Sequence, residues 1–286
     1  MQSGMDYSQI PPQFLLVGGV VSLLMLAGLI TAIVFFWRHA RAQSLSWSQR
    51  IEFLRRVPVS PVALMMLIAI LFLLYAVMAL AVIAMGQGGA SEWGFALQTL
   101  AFHWAVIIFV IVWKLRSGWS WRGMFGFGMR GFTYQASRGL LAYLIVFPLI
   151  ILSALVYQWI LIWLGYQPVQ QPIMDFLSGD ISVFTRVYGL LLAVLIAPVA
   201  EELLFRGLLL PVLARRLGVV AGVLGVSLIF AGMHLFIPAL VPLFFVSVAC
   251  CLAYVYTGSL TTAIVFHSIF NSVNLALFTV LHEFVA

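Results

Sequence analysis

"LLLAVLIAPVAEELLFRGLLLPVL", residues 190–213, decides how the chain is to be read. The run is long and apolar enough to cross a bilayer, for which about 20 residues suffice. Yet Glu201, Glu202 and Arg206 sit near its middle. Charge at that depth costs about 2.5 kcal/mol or more per group and marks a functional position by default. Glu202 and Arg206 are four residues apart, so they share a helical face and can pair. Glu201 is turned about 100° away and has no basic residue three or four positions off. Pro198, three residues earlier, removes a backbone donor and can open the helix there.

Outward from this run the chain is of one kind. Of 286 residues, 64% are hydrophobic and 8% charged, and the mean hydropathy is +1.16. A soluble domain could not hide that much apolar surface, which makes the chain an integral, multi-pass membrane protein. Apolar runs at 14–37, 61–85, 95–113, 139–164, 187–213, 217–237, 239–256 and 260–282 predict about eight transmembrane helices in an all-α polytopic fold. Backbone groups in lipid must be satisfied internally, and the period-two alternation of a barrel is absent. The first run is preceded by no basic residue and is too long for a signal-peptide core, so it reads as a retained span.

Arginines and lysine cluster in three connections: Arg38 to Arg56, Lys114 to Arg138, and Arg215 with Arg216. The loops between are poor in base: 86–94 holds Glu92, and 165–185 holds Asp175 and Asp180. The positive-inside rule then places the basic loops in the cytoplasm and both termini outside, in a cell (plasma) membrane. No basic patch of the kind that binds nucleic acid is present; the net charge of +6 resides in these loops. Two of them, "SLSWSQRIEFLRRVP" (44–58) and "WKLRSGWSWRGMFGFGMRGFTYQASR" (113–138), mix aromatic and basic residues, the pattern of a membrane surface in contact with lipid. The chain divides into 1–138, three spans with basic loops, and 139–286, five spans. Of these, the last four are expected to build a polar catalytic cavity. Cys250 and Cys251 are adjacent in a span, which suits packing and neither a disulfide framework nor a metal site. His103, between Phe102 and Trp104, reads as a packed histidine near an interface.

The last third of the chain adds polar groups that need partners. His234 lies four residues after Phe230, and Asn271 four after His267, so each pair shares a helical face. Imidazole and carboxylate together can hold or deprotonate a water. They do so either as two histidines and a glutamate on a metal, or as a glutamate base with His and Asn polarising a carbonyl. The depths of these groups are in tension. If the spans of His234 and His267 start at the same edge, the two residues lie about 16 and about 8 residues deep, a difference of ~12 Å. The segment 207–222, with Pro211 and Gly218, is therefore expected to turn inside the bilayer or along its surface.

Glu201-Glu202-Leu-Leu-Phe-Arg206 reads as EExxxR, Phe230 to His234 as FxxxH, and His267 to Asn271 as HxxxN. In that order, on three hydrophobic spans, they resemble the motifs of the CAAX prenyl protease type II and bacteriocin-processing membrane proteases, also called the CPBP or Abi family. The resemblance covers roughly residues 185–283; the first four spans carry no matching motif. It implies an intramembrane endopeptidase. Glu201 would activate water, with His234 and His267 holding that water or a metal, and Asn271 would hydrogen-bond the oxyanion. Glu202, Arg206 and Phe230 would support them. The implied metal set is Glu201, His234 and His267, with zinc or another divalent ion as the candidate; a metal-free glutamate mechanism stays open. The implied substrate is a protein or peptide, prenylated in the family's eukaryotic CAAX association. Two other classes remain: a scaffold or immunity protein that keeps the fold, and an ion- or proton-coupled transporter. A cleavage assay on a Glu201 variant separates both from a protease.

Overall fold

The computed structural model describes residues 12–41, 47–84, 92–128, 130–167 and 179–282, with 173 and 176 between them. The loop 86–91, Asp175 and residues 283–286 lie outside the described residues. Every regular element among the described residues is helical. In chain order these are α1 (Pro12–Arg41), α2 (Trp47–Arg56), α3 (Pro61–Ala84) and α4, which runs on from Glu92–Thr99 through Leu100–Trp104 to Ala105–Ser117. After it come α5 (Trp121–Phe125), α6 (Phe132–Trp163), α7 (Val183–Leu217), α8 (Val219–Met233), α9 (Leu240–Thr257) and α10 (Leu260–His282).

Seven of these, α1, α3, α4, α6, α7, α9 and α10, are long and apolar enough to cross a membrane. The eighth expected span, 217–237, is the 15-residue α8. At ~1.5 Å per residue it rises ~22 Å, short of a hydrocarbon core of about 30 Å. The turn expected in 207–222 falls at Gly218, whose φ of +84° is one that glycine adopts readily. Gly222 then lies against the backbone of Ala214; a Cβ there would come within 2.9 Å of the Ala214 nitrogen. α8 therefore folds straight back along the end of α7.

α7 is not a regular helix. Leu192–Ile196 and Leu203–Leu209 are wound as π-helix on either side of Glu201 and Glu202. Ala197 donates to the carbonyl of Leu192, and Leu210 to that of Phe205, each five residues back. Both wide turns end just before a proline, Pro198 and Pro211. A proline ring collides with the carbonyl four residues back and has no N–H to offer it, and the wider register relieves that collision.

α6 packs on α9 and α10, α8 on α9 and the end of α7, and α10 on the middle of α7. Phe205, Phe230, Tyr254, Phe266 and Tyr143 form the centre of the core. α1 leans on α6 and α10, and α3 on α4; both leave Leu23, Ile33, Phe72 and Leu73 exposed on outer faces that suit lipid. α6 begins at Phe132, so the division expected at 138/139 falls inside a helix.

The aromatic loop after α4 is more than a surface pattern. Met124 and Phe125 are fully buried, and the Phe125 ring fills the space at Gly207, where a Cβ would approach it to 2.8 Å. Gly126, at φ +70°, lets this plug meet the Gly258 carbonyl. Cys250 and Cys251 are buried and unpaired, as packing residues would be.

Candidate active site

Glu201, Glu202, Arg206 and His267 come together at α7, with His234 across the Phe230 ring and Asn271 on the Ala193 carbonyl. Glu202 and Arg206 are both fully buried, and the Arg206 Nη1 donates to Glu202 Oε1 at 2.8 Å. This is the pair expected from their spacing. Two further anchors come from α9: Arg206 Nη2 donates to the Ser247 carbonyl and hydroxyl at 2.9 and 2.8 Å. The guanidinium also lies over the Phe230 ring, 4.9 Å from its centroid, a favourable placement for a desolvated cation.

Glu202 has a second task that helical spacing does not reveal. Its Oε1 also accepts from His267 Nδ1 at 2.9 Å. That bond places a proton on Nδ1, and in the neutral ring it leaves Nε2, 3.8 Å from Glu201 Oε2, without one. His234 is oriented in the same way. Its Nδ1 donates to the Phe230 carbonyl at 2.8 Å, which leaves Nε2 bare. The Phe230 ring separates the two histidines, with centroids 4.9 Å from His234 and 5.7 Å from His267. His234 stands farther from Glu201 but within electrostatic reach of it.

The chain behind His234 is strained: Leu235 takes φ +49°, a left-handed conformation usually left to glycine at the end of a helix. It stops α8 immediately after the imidazole.

Asn271 sits where Pro198 left a gap. In the five-residue register, the group facing the Ala193 carbonyl is the proline nitrogen, which carries no hydrogen. Asn271 Nδ2 donates to that carbonyl at 2.7 Å. The amide keeps a second N–H and its oxygen for other work.

Glu201 itself is 13% exposed. Its Oε2 is buried and accepts no hydrogen bond among the described residues. Its Oε1 faces His103 Nε2 at 3.6 Å. His103, read from its aromatic neighbours as a packing residue, is thus against the catalytic candidate. The polar cluster around Glu201 is not drawn from the last four spans alone, because α4 supplies His103 to it. The missed signal was the one that singled out Glu201: an ionisable side chain in an apolar run with no partner of opposite charge three or four positions away. Ser247 and Tyr188 gave no such signal.

α4 is held on α7 by its own contacts. Glu92 accepts from the Ser182 backbone at 2.8 Å and its hydroxyl at 2.7 Å, and from the Thr185 hydroxyl, closing the first turn of α7. The bond from Thr185, then those from Ser182, hold the Glu92 carboxyl below its ordinary range. Such a lowered group adds stability above the ordinary carboxylate range and loses it as pH falls through the lowered value. Wild type is therefore expected to melt higher than Glu92→Gln at neutral pH. The difference should close in acid, as read by thermal unfolding in detergent at several pH values.

The donor chemistry of Glu201, His234 and His267 suits a divalent ion such as zinc. Among the described residues, however, no group of three His, Cys, Asp or Glu side chains is arranged to hold one.

No curated protein and no solved structure matches the chain. Residues 183–273, from the start of α7 to the middle of α10, match the family model of the type II CAAX prenyl endopeptidases, described as Rce1-like. The chain is thus an integral membrane protein in which one segment matches the model of the family that its three motifs resemble, and the match supports an intramembrane CAAX-type endopeptidase in general.

Proposed function

We propose that this protein hydrolyses a peptide bond at the membrane, with Glu201 as the base. One observation carries the reading. A nearly buried carboxylate stands between imidazole nitrogens, on a matched protease segment, and the nearest motif histidine is locked by a buried Glu202–Arg206 pair. Glu201 takes a proton from water, and the hydroxide forms a C–O bond to the scissile carbonyl. The carbonyl oxygen becomes the oxyanion, and the free N–H of Asn271 is the donor assigned to it. Glu201 then returns the proton to the amine nitrogen as the C–N bond breaks. The water's second O–H donates to a bare imidazole Nε2, that of His267 beside Glu201 or that of His234, which holds the water in place. Glu202 keeps His267 in that tautomer, and Arg206 balances the charge of Glu202. No step is assigned to a metal, because the arrangement of the three candidate ligands does not close on one.

The substrate class is a protein or peptide with its cleavage site at the bilayer edge, lipidated in the family manner. The polar residues gather at one place instead of forming a chain across the bilayer, which favours hydrolysis over transport. The test compares the membrane proteome of cells expressing wild type or Glu201→Gln. Cleaved termini present only with wild type are the expected result; identical termini would overturn the reading. Activity of purified protein on a peptide from such a terminus, with metal content measured on the same sample, is expected to persist without bound metal.

A further inference from the structure

The matched segment begins at residue 183, yet a histidine from outside it reaches the Glu201 carboxylate. We propose that His103 is a positioning residue: its Nε2 holds Glu201 Oε1, so that Oε2 is left as the oxygen that receives the proton. The inference rests on the reading of Glu201 as the base.

Four observations on α4 point the same way. The first is the contact: each carboxylate oxygen faces one imidazole nitrogen, Oε1 facing His103 at 3.6 Å and Oε2 facing His267 at 3.8 Å. The second is chemical: His267 turns a bare Nε2 to the carboxylate, so it offers that carboxylate no proton in its neutral form. His103 is under no such constraint, since its Nδ1 is buried and bonded to nothing among the described residues. Buried polar atoms are nearly always paired, and the ring's one favourable arrangement carries the proton on Nε2, donated toward Glu201. The role needs only this neutral ring.

The third observation is local geometry. His103 lies inside the π-wound Leu100–Trp104. An extra residue in a turn rotates the remainder of the helix by about 100°, and such turns recur at functional sites. The fourth is the clamp on either side. The Tyr188 hydroxyl of α7 is bonded to Thr99 Oγ1 at 3.0 Å and accepts from Trp104 Nε1 at 3.4 Å. The helix that carries Glu201 thereby grips α4 both before and after His103. A histidine needed only for packing would not require its segment to be fixed to α7 at two points by hydrogen bonds.

The test uses full-length protein in liposomes and a peptide that wild type cleaves, with wild type, Glu201→Gln, His103→Ala and His103→Gln. Loss of a partner that orients a reacting group costs roughly 10–100-fold. His103→Ala is expected to lose that much in kcat with KM within about twofold, and His103→Gln, whose amide N–H can replace Nε2–H, to regain about tenfold or more. His103→Ala with wild-type kcat would overturn the inference, as would equal losses in both His103 variants. If Glu201→Gln cleaves as well as wild type, the protease reading itself fails; an inactive Glu201→Gln beside a fully active His103→Ala removes only the role of His103. An infrared readout needs no turnover: the carboxylate band assigned by subtracting the Glu201→Gln spectrum is expected to shift in His103→Ala, and an unmoved band would sink the proposal.

Discussion

Glu201→Gln leaves the protein folded and removes its cleavage activity, by about 10³-fold or more. The substitution keeps the size of the side chain and its contacts with His103 and His267, and it deletes only the capacity to take a proton. General-base catalysis by itself contributes about 10²–10⁴-fold, and in the proposed mechanism the same carboxylate also returns the proton to the leaving amine. The loss is expected in kcat, because neither His267 nor Asn271 depends on Glu201 for its position. Their anchors are Glu202 Oε1 and the Ala193 carbonyl. Steady-state cleavage in liposomes, beside a melting curve within a few degrees of wild type, checks both halves of the expectation.

Arg206→Met acts on stability first. It removes the cation from a site with no access to solvent and strands Glu202 beside His267. Breaking a buried pair by removing one partner costs about 3–5 kcal/mol, which is a large share of the stability of an ordinary domain. The single variant is expected to lose folded protein in detergent. Adding Glu202→Gln to it removes the uncompensated charge and recovers much of the melting temperature. Activity does not return with it, since His267 then lacks the carboxylate that fixes its tautomer. A double variant as unstable as the single one would show that the cost of Arg206→Met lies in lost packing on Phe230 and Ser247 rather than in charge.

The fold was legible where the physics is local. Apolar length alone gives the seven long helices, and the four-residue spacing gives the Glu202–Arg206 bond. What lay beyond reach depends on neighbours in space. Nothing in the spacing of Glu202 says that it also holds His267, because that bond joins residues 65 positions apart. The His103 contact crosses from α4 to α7 and was masked by the aromatic residues on either side. The depth mismatch between His234 and His267 turns on where α8 starts, and the chain reverses at Gly218 into a helix of 15 residues. A proline in an apolar helix leaves a carbonyl in need of a donor, and Asn271, a donor in another apolar run, is the residue that meets that need.

The brevity of α8 also acts on the bilayer. A helix ~8 Å shorter than the hydrocarbon layer cannot leave that layer at full thickness around it; acyl chains must tilt or head groups must sink beside it. α8 ends at His234, so thinning of the layer beside this helix is expected at that imidazole. Hydrolysis in a greasy setting needs a route for its second reactant, and a local thinning beside the imidazole would provide one.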